Sequence, residues 1–295
     1  MAYFKCGSGG SSVEIDGVAY DGDLKLVKRI YDIYMKLPYT FTSGSAVIYN
    51  NEIHIMGTSD SSWNTKHYKY NGSSWESVST MSRSVSQSGV VVYNNEIHTL
   101  GGNGYPTAHF KWNGSSWTSV STLPYSFYGG KAVVYNNEIH ILGSGNSGNY
   151  KSHYKWNGSS WVSSHAIPYN FNYGGATLCN NEIHIFGGYG NTKKEHYKYN
   201  GSKWESVSTL PYEFTYSDAV TYNDEIHLLG GTSNALPHYK WNGSSWESCG
   251  YVPYPFTNGS AVVYDDNICI FGGASSYSTN GYYVGVEVYK LSKTE

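Results

Sequence analysis

Histidine recurs at two positions of a regular pattern, and paired imidazoles can bind a metal ion or transfer protons. The first set is His54, His98, His140, His184 and His227, and the second set is His67, His109, His153, His196 and His238. A metal site needs several ligands at bond lengths of about 2 Å, and no carboxylate recurs where it would converge on both imidazoles. We therefore expect packed, hydrogen-bonded histidines within each repeat, and we assign no metal site and no cofactor.

Other constellations of catalytic residues are missing from the sequence. It contains no Ser-His-Asp grouping, no nucleophile elbow and no phosphate-binding loop. The recurring acidic residues are Glu52, Glu96, Glu138, Glu182 and Glu225. They occupy the same turn of each repeat, which indicates a structural role. The cysteines are Cys6, Cys179, Cys249 and Cys269. They form no CxxC pair, so we expect free thiols. These observations predict a protein that is not an enzyme.

Composition excludes several classes of function. Only 14% of the 295 residues are charged and the net charge is −3, so we expect no nucleic-acid partner. No apolar run approaches the roughly 18 residues of a membrane span, which predicts no membrane insertion. The N-terminus lacks the apolar segment of a secretory signal peptide. The 31 Tyr, 9 Trp and 34 Gly residues instead favour strands joined by tight turns.

The two histidine positions belong to a repeat of 42 to 44 residues, a period that indicates a solenoid, a propeller or an array. In the copy that begins at Ala132, four short strands are expected: "AVVY", "EIHIL", "HYKW" and a strand that starts at Trp161. Asn136–Asn137 suits a two-residue type I′ turn between the first two strands, and Asn157–Gly158 a turn between the last two. No helix fits in the unit. Four antiparallel strands per repeat predict a β-propeller blade.

Glycine and aromatic residues recur at fixed places in these units. Glycine doublets end the second strand at Gly101–Gly102, Gly187–Gly188, Gly230–Gly231 and Gly272–Gly273. A Tyr of strand three and a Trp of strand four recur as Tyr68 with Trp75, Tyr154 with Trp161, Tyr197 with Trp204 and Tyr239 with Trp246. In these features residues 31–291 resemble the kelch-repeat family, although "MGT" and "LGS" keep a single glycine. The resemblance implies an all-β fold, a six-bladed β-propeller of four-stranded antiparallel blades. It implies little about function, because kelch propellers include binders, adaptors and enzymes.

The two ends of the chain are expected to meet in one blade. The sixth repeat lacks a fourth strand, and residues 31–41 align without gaps with residues 204–214, which include a fourth strand. We therefore expect an N-terminal strand to complete the last blade and close the ring. The alternative is a short helix over residues 24–31, since Leu24, Val27 and Tyr31 share one helical face. Residues 26–295 are thus predicted to form the propeller. Residues 1–25 form a tail that either attaches to a partner or is a frayed terminus.

The loops divide into two classes on opposite faces. Loops between strands one and two, and between strands three and four, are short and nearly identical. Loops on the other face vary and are rich in Tyr, Ser and Asn, which suit adaptable recognition, although surface loops also vary freely without a function. The candidate ligand-binding residues before or at the start of the first strands are Thr42, Gln87, Tyr128, Lys131, Asn172, Tyr173, Tyr216, Asp218 and Asn258. Those between strands two and three are Trp63, Tyr105, Tyr150 and Tyr189.

These observations predict a non-enzymatic binding module that recognises a glycan or a cell-surface protein through the variable face. Its composition suggests a phage tail or virion receptor-binding protein, whose N-terminal tail would contact other virion proteins. The expected location is a virion or an extracellular surface, and otherwise the cytoplasm. The alternative from the kelch resemblance is a sugar-processing enzyme such as a sialic acid mutarotase-like protein. A third class, an intracellular adaptor, lacks any recognisable partner domain in this chain.

Overall fold

Four-stranded antiparallel sheets repeat along the chain in the computed structural model. The described residues are 12–15, 18–21, 26–29, 31–58, 65–146, 148–231, 237–252, 256–275, 283–284 and 287–291. In chain order the strands are β1 (Ser12–Ile15), β2 (Val18–Asp21), β3 (Leu26–Arg29), β4 (Tyr31–Lys36), β5 (Ser45–Tyr49), β6 (Glu52–Met56), β7 (Lys66–Tyr70), β8 (Trp75–Thr80), β9 (Gly89–Tyr93), β10 (Glu96–Leu100), β11 (Ala108–Trp112), β12 (Trp117–Thr122), β13 (Lys131–Tyr135), β14 (Glu138–Leu142), β15 (His153–Trp156), β16 (Trp161–Ser163), β17 (Gly175–Cys179), β18 (Glu182–Phe186), β19 (His196–Tyr199), β20 (Trp204–Ser206), β21 (Asp218–Tyr222), β22 (Glu225–Leu229), β23 (Pro237–Trp241), β24 (Trp246–Tyr251), β25 (Ser260–Tyr264), β26 (Asn267–Phe271), β27 (Ala274–Ser275), β28 (Tyr283–Val284) and β29 (Glu287–Leu291).

Five sheets are built from consecutive strands, β5–β8 through β21–β24, and we number them blades one to five. Their local sequence explains their shape. Asn136 and Asn137 between β13 and β14 have φ values of 48° and 58°, as the type I′ turn requires, and Tyr135 pairs with Glu138 across the turn. The same left-handed pair recurs between the first two strands of the other blades. The predicted hairpin is therefore confirmed.

A sixth sheet joins the two ends of the chain. Its strand order is β25-β26-β29-β4, and β29 pairs antiparallel with β4, with Val288 opposite Met35. The alignment of residues 31–41 with a fourth strand predicted this pairing, and the structure has strands rather than a helix over Leu26–Arg29 and Tyr31–Lys36. Each inner strand contacts the next in the order β5, β9, β13, β17, β21, β25, and β25 contacts β5. The inner strands thus form a closed circle.

The N-terminal segment forms a separate three-stranded sheet, β1-β2-β3. Ile15 pairs with Val18 across the position of the predicted hairpin. The sequence-based boundary placed residue 26 in the propeller, but Val18 pairs with Arg29, so β3 belongs to the N-terminal sheet. Within the described part of the chain, no helix has the length and apolar character needed to cross a membrane.

The hydrophobic core lies between neighbouring sheets. One cluster combines Val133 and Leu142 of blade three with Ile183 and Ile185 of blade four, and Phe171, fully buried in the connection between the blades, completes it. Equivalent phenylalanines are Phe41, Phe127, Phe214 and Phe256, all with 0% exposure. Because each blade buries its apolar faces against its neighbours, the short segments that lead into the inner strands are held firmly at one face of the ring.

Candidate functional site

Six residues that precede the inner strands form a closed ring of backbone hydrogen bonds. They are Ser43, Gln87, Gly129, Tyr173, Tyr216 and Asn258. Each N–H donates to the carbonyl oxygen of the equivalent residue one blade earlier at 2.5 to 2.9 Å, and the N–H of Ser43 donates to Asn258. All six have φ between 53° and 62°. We call this set the carbonyl ring.

The left-handed conformation is costly for bulky side chains, at about 1 to 3 kcal/mol for each residue. Tyr173 and Tyr216 adopt it with φ of 53° and 56°. Strain of this kind persists only where the surrounding structure imposes it, and it concentrates at functional sites. Here the circular hydrogen bonding imposes it, so both tyrosines are held in one backbone conformation.

A cavity of about 230 Å³ opens at the centre of this ring. It is lined by all six carbonyl-ring residues and by the first residues of the inner strands, so it lies on the propeller axis. Most of its lining is polar or glycine, and Lys131 and Asp218 are its charged residues. The cavity therefore offers hydrogen-bonding groups from all six sheets of the ring to a small polar ligand.

Lys131 and Asp218 pair with each other across the cavity. Nζ of Lys131 lies 2.8 Å from Oδ1 of Asp218, and both side chains are largely shielded from solvent. The other carboxylate oxygen of Asp218 accepts the N–H of Ala261 at 2.9 Å. The sequence alignment of the repeats identified Lys131 and Asp218 as the charged residues at their position. Their contact arises only because the closed ring brings blades three and five together at the cavity. In the free protein the pair is neutralised internally.

Five tyrosines of blades three to five gather beside the cavity. Tyr173 and Tyr216 have ring centroids 4.7 Å apart with planes inclined by 34°, and Tyr189 lies 6.0 Å from Tyr216. Tyr128 and Tyr150 lie close enough to Tyr173 to influence its ionisation. We call Tyr128, Tyr150, Tyr173, Tyr189 and Tyr216 the tyrosine patch. All five were predicted from the variable loops as ligand-binding residues.

Burial raises the pKa of two tyrosines of the patch. It raises the pKa of Tyr173 to about 12, and the neighbouring hydroxyls of Tyr216, Tyr128 and Tyr150 raise it further in the same direction. Burial likewise raises the pKa of Tyr216. Both phenols therefore remain neutral hydrogen-bond donors to a higher pH than an exposed tyrosine, whose pKa is about 10. Tyr189 is 58% exposed, so the patch combines two half-buried tyrosines with one accessible aromatic ring.

Glycines set how closely the patch packs. A Cβ atom on Gly145 would lie 2.5 Å from the ring of Tyr128 and 2.8 Å from the hydroxyl of Tyr173. A Cβ atom on Gly129 would lie 2.3 Å from the ring of Tyr173. The sequence analysis did not select either glycine. The sequence nevertheless distinguishes Gly129, because the other five residues of the carbonyl ring are all larger than glycine.

The remaining predicted site residues are distributed differently. Gln87 and Asn258 line the cavity. Asn172 is only 4% exposed, and its carbonyl oxygen accepts the N–H of Tyr189, so it positions the patch and does not present its side chain to solvent. Thr42 is half-buried and bonds through its backbone N–H to Thr58. Tyr105 is 50% exposed on blade two and outside the patch. Trp63 lies outside the described residues.

The repeated histidines form one buried pair in each of blades one to five. Nδ1 of the first histidine lies 2.8 to 2.9 Å from Nε2 of the second. Burial lowers the pKa of His140 to about 4 and that of His153 to about 3, so both imidazoles are neutral. The expectation of packed, hydrogen-bonded histidines is confirmed.

The pairs of blades one to four also connect to the next blade. In blade two, Nδ1 of His109 lies 3.1 Å from Oγ of Ser121, and that oxygen accepts the indole N–H of Trp161 from blade three. Ser79 and Ser208 make the same link to Trp117 and Trp246. In blade three the carbonyl oxygen of His165 replaces the serine and accepts from His153. The histidines therefore stabilise contacts between blades, away from the axial cavity.

Comparison with known proteins identifies the fold. No family model matches the chain, and no curated protein matches it. Among solved structures the chain is similar to "Structure of YjhT", with a TM-score of 0.75 and 15% sequence identity over 87% of this chain and 96% of that one. YjhT is a kelch-type propeller. At this identity the similarity establishes the fold alone: the chain is a β-propeller of four-stranded antiparallel sheets with a kelch-like fold.

Proposed function

We propose that this chain is a six-bladed, non-enzymatic propeller that binds a carbohydrate at the tyrosine patch and the adjoining axial cavity. The observation that carries the proposal is the Tyr173–Tyr216 pair, held 4.7 Å apart at the rim of a polar cavity. An aromatic face covers the C–H face of a sugar ring, and polar groups beside it bond the hydroxyls. The site provides both on one continuous surface.

The size of the cavity supports a small ligand or the end of a chain. At about 230 Å³ it lies below the roughly 300–1,000 Å³ of pockets that enclose drug-sized molecules. Gln87, Asn258 and the Lys131–Asp218 pair provide donors and acceptors within it. A terminal sugar residue inside the cavity, with the next residue over Tyr189, would use both regions.

The experiment is a glycan array followed by titration of the best ligand. Tyr173→Ala and Tyr216→Ala should each weaken binding at least about tenfold, because removing a central aromatic anchor typically costs about 2 kcal/mol or more. Two controls should bind normally: Tyr105→Ala, which removes an exposed tyrosine outside the patch, and Ser159→Ala in a hairpin of the opposite face. Binding that survives both patch variants but fails in Ser159→Ala would contradict the assignment of faces.

A protein ligand is the other outcome of this experiment. If no glycan binds but a cell-surface protein does, and Tyr216→Ala abolishes that binding, the site is correct and the ligand class is wrong. If neither binds through the patch, the proposed function is wrong.

A second candidate is a sugar-processing enzyme, supported by the similarity to YjhT, which is a sialic acid mutarotase. Mutarotation needs a base to take the proton of the anomeric hydroxyl and an acid to protonate the ring oxygen. Asp218 and Lys131, 2.8 Å apart in the cavity, are a carboxylate and an ammonium that suit these roles. Anomer exchange of sialic acid, followed by NMR, tests this candidate. Catalysis lost in Asp218→Asn and Lys131→Met would replace the binding proposal with an enzymatic one.

Display on a virion or an extracellular surface belongs to the binding proposal. The N-terminal sheet β1-β2-β3 is separate from the sheets of the ring, which makes residues 1–25 a suitable attachment segment. Deleting residues 1–22 should leave carbohydrate binding unchanged and release the protein from its carrier. Retention of the truncated protein on the carrier would exclude this role for the segment.

A further inference from the structure

Blade five departs from the pattern of the other histidine pairs. Its pair, His227 and His238, has the usual Nδ1–Nε2 distance of 2.8 Å. In blade one the second histidine, His67, lies opposite Ser79, but in blade five His238 lies opposite Gly250. Glycine has no hydroxyl, so residue 250 cannot make the contact that Ser79 and Ser121 make with the second histidine in blades one and two, which share this register.

A cysteine takes the neighbouring place. The register of β23 and β24 shifts between His238 and Tyr239, which leaves Cys249 as the extra residue of a β-bulge. The same bulge holds Val78 in blade one and Val120 in blade two. Bulges redirect side chains and occur often beside functional sites. In blade five the bulge position therefore holds a thiol, beside two imidazoles, where blades one and two have valine.

We propose that His227, His238 and Cys249 form a binding site for one zinc ion, which bridges the second, third and fourth strands of blade five. One ligand atom from each residue lies within 4.8 Å of the others. Two nitrogens and one sulfur, with a fourth position left for water, make a donor set that zinc accepts in tetrahedral geometry. The two histidines are buried and Cys249 is half-buried.

The required movements are small. Zinc–nitrogen bonds of about 2.1 Å at a tetrahedral angle place the two nitrogens about 3.4 Å apart. The His227–His238 contact must therefore open from 2.8 Å, and the sulfur must approach from within 4.8 Å. Side-chain rotation about Cβ supplies shifts of this size without moving the strands.

The protons can be accounted for. Zinc binds the lone pairs of Nδ1 of His227 and Nε2 of His238, so the proton now shared between them moves to an outer ring nitrogen. Nε2 of His227 is buried and has no hydrogen-bond partner within the described residues, so it is available for that proton. The thiol of Cys249 releases one proton to solvent when it binds as thiolate. The site then carries a net charge of +1 in place of a neutral cluster.

Zinc titration of metal-free protein tests this proposal, with mass spectrometry for stoichiometry and cobalt as a spectroscopic probe. We expect one zinc per chain, a thiolate-to-cobalt charge-transfer band, and a higher melting temperature with zinc. Cys249→Val should lose all three, and because it installs the residue found at this bulge in blades one and two, it should fold. Cys179→Ser and His184→Asn, which alter another buried thiol and the pair of blade four, should retain one zinc.

Two results would overturn the zinc site: no stoichiometric binding, or binding that persists in Cys249→Val. If that variant fails to fold, alkylation of wild-type protein replaces it. Zinc should then slow the reaction of iodoacetamide at Cys249, and unchanged alkylation in saturating zinc would equally contradict the proposal.

Discussion

Tyr216 donates its backbone N–H to the carbonyl oxygen of Tyr173 at 2.7 Å, and the two aromatic rings lie 4.7 Å apart. The same two residues are thus joined through both backbone and side chain, although they belong to different blades. The binding surface that we propose is therefore organised before a ligand arrives. Little conformational entropy remains to be lost on binding, which favours affinity.

Gly129→Ala should displace Tyr173 and weaken carbohydrate binding. A Cβ atom at residue 129 would lie 2.3 Å from the Tyr173 ring, and φ is 62°. Gly104→Ala, outside the tyrosine patch, is the matched control, since its φ is 85° and a Cβ atom there meets nothing within 4 Å. Both variants carry backbone strain, so a comparison of ligand affinity isolates the displacement. Equal affinities in the two variants would show that the position of Tyr173 does not matter for binding.

Removing Asp218 should cost more stability than removing Lys131. In Asp218→Ala, the N–H of Ala261 loses its acceptor and the Lys131 ammonium loses its counter-ion, and an unsatisfied buried group costs about 1–3 kcal/mol. In Lys131→Met, Asp218 loses its counter-ion but keeps the N–H of Ala261 as a partner, so fewer groups are left unsatisfied. Urea unfolding of both variants measures the difference. The reverse order would indicate that an unpaired Asp218 carboxylate costs more than an unpaired Lys131 ammonium together with an unsatisfied Ala261 N–H.

Closure of the ring should depend on β4. Deleting residues 1–36 removes the strand that pairs with β29, so the sixth sheet loses its outer strand and the melting temperature should fall sharply. Deleting residues 1–22 retains β4 and should have little effect on the melting of the propeller. Thermal denaturation of the two truncated proteins gives the answer. Equal melting temperatures would mean that the pairing of β29 with β4 contributes no stability.

Stability should decrease as the pH falls from about 6.5 to about 4. Burial lowers the pKa of His54 to about 4 and that of His67 to about 3, whereas an unfolded histidine titrates near 6.5. Below pH 6.5 these histidines therefore bind protons in the unfolded chain but stay neutral in the folded chain. The free energy of unfolding then falls by about 1.4 kcal/mol per pH unit for each such proton. Above pH 6.5 these histidines are neutral in both states, and their contribution to the stability of the fold is fully present.

Urea unfolding at several pH values measures this slope. His140→Asn should lower stability at pH 7, because it removes one partner of His153, and should reduce the slope below pH 6.5, because one titrating group is gone. A slope unchanged by the substitution would mean that His140 does not titrate between the two states.

Local sequence determined the strands and turns of this protein. Alternating apolar residues and Asn-Asn pairs specify hairpins through interactions between near neighbours. Residues 31–36 have the residue pattern of a fourth strand, although they precede the first repeat in the sequence. The variation between repeats predicts ligand-binding residues in the variable loops, and the structure places Tyr128, Tyr150, Tyr173, Tyr189 and Tyr216 near one another. Leu26–Arg29 pairs with the preceding strand, a contact that the repeat pattern does not encode.

Tertiary structure decided which of these residues meet. Lys131 and Asp218 are 87 positions apart and bond because the ring places blades three and five around one small cavity. Asn172 and Tyr173 are adjacent in the sequence, yet the left-handed backbone of the carbonyl ring buries Asn172 while Tyr173 lines the cavity. The place of Cys249 beside two histidines depends on a single bulge in β24. The curvature of the closed ring and the register between strands decide contacts between residues that are far apart in the sequence. The residue pattern of one repeat does not encode those contacts.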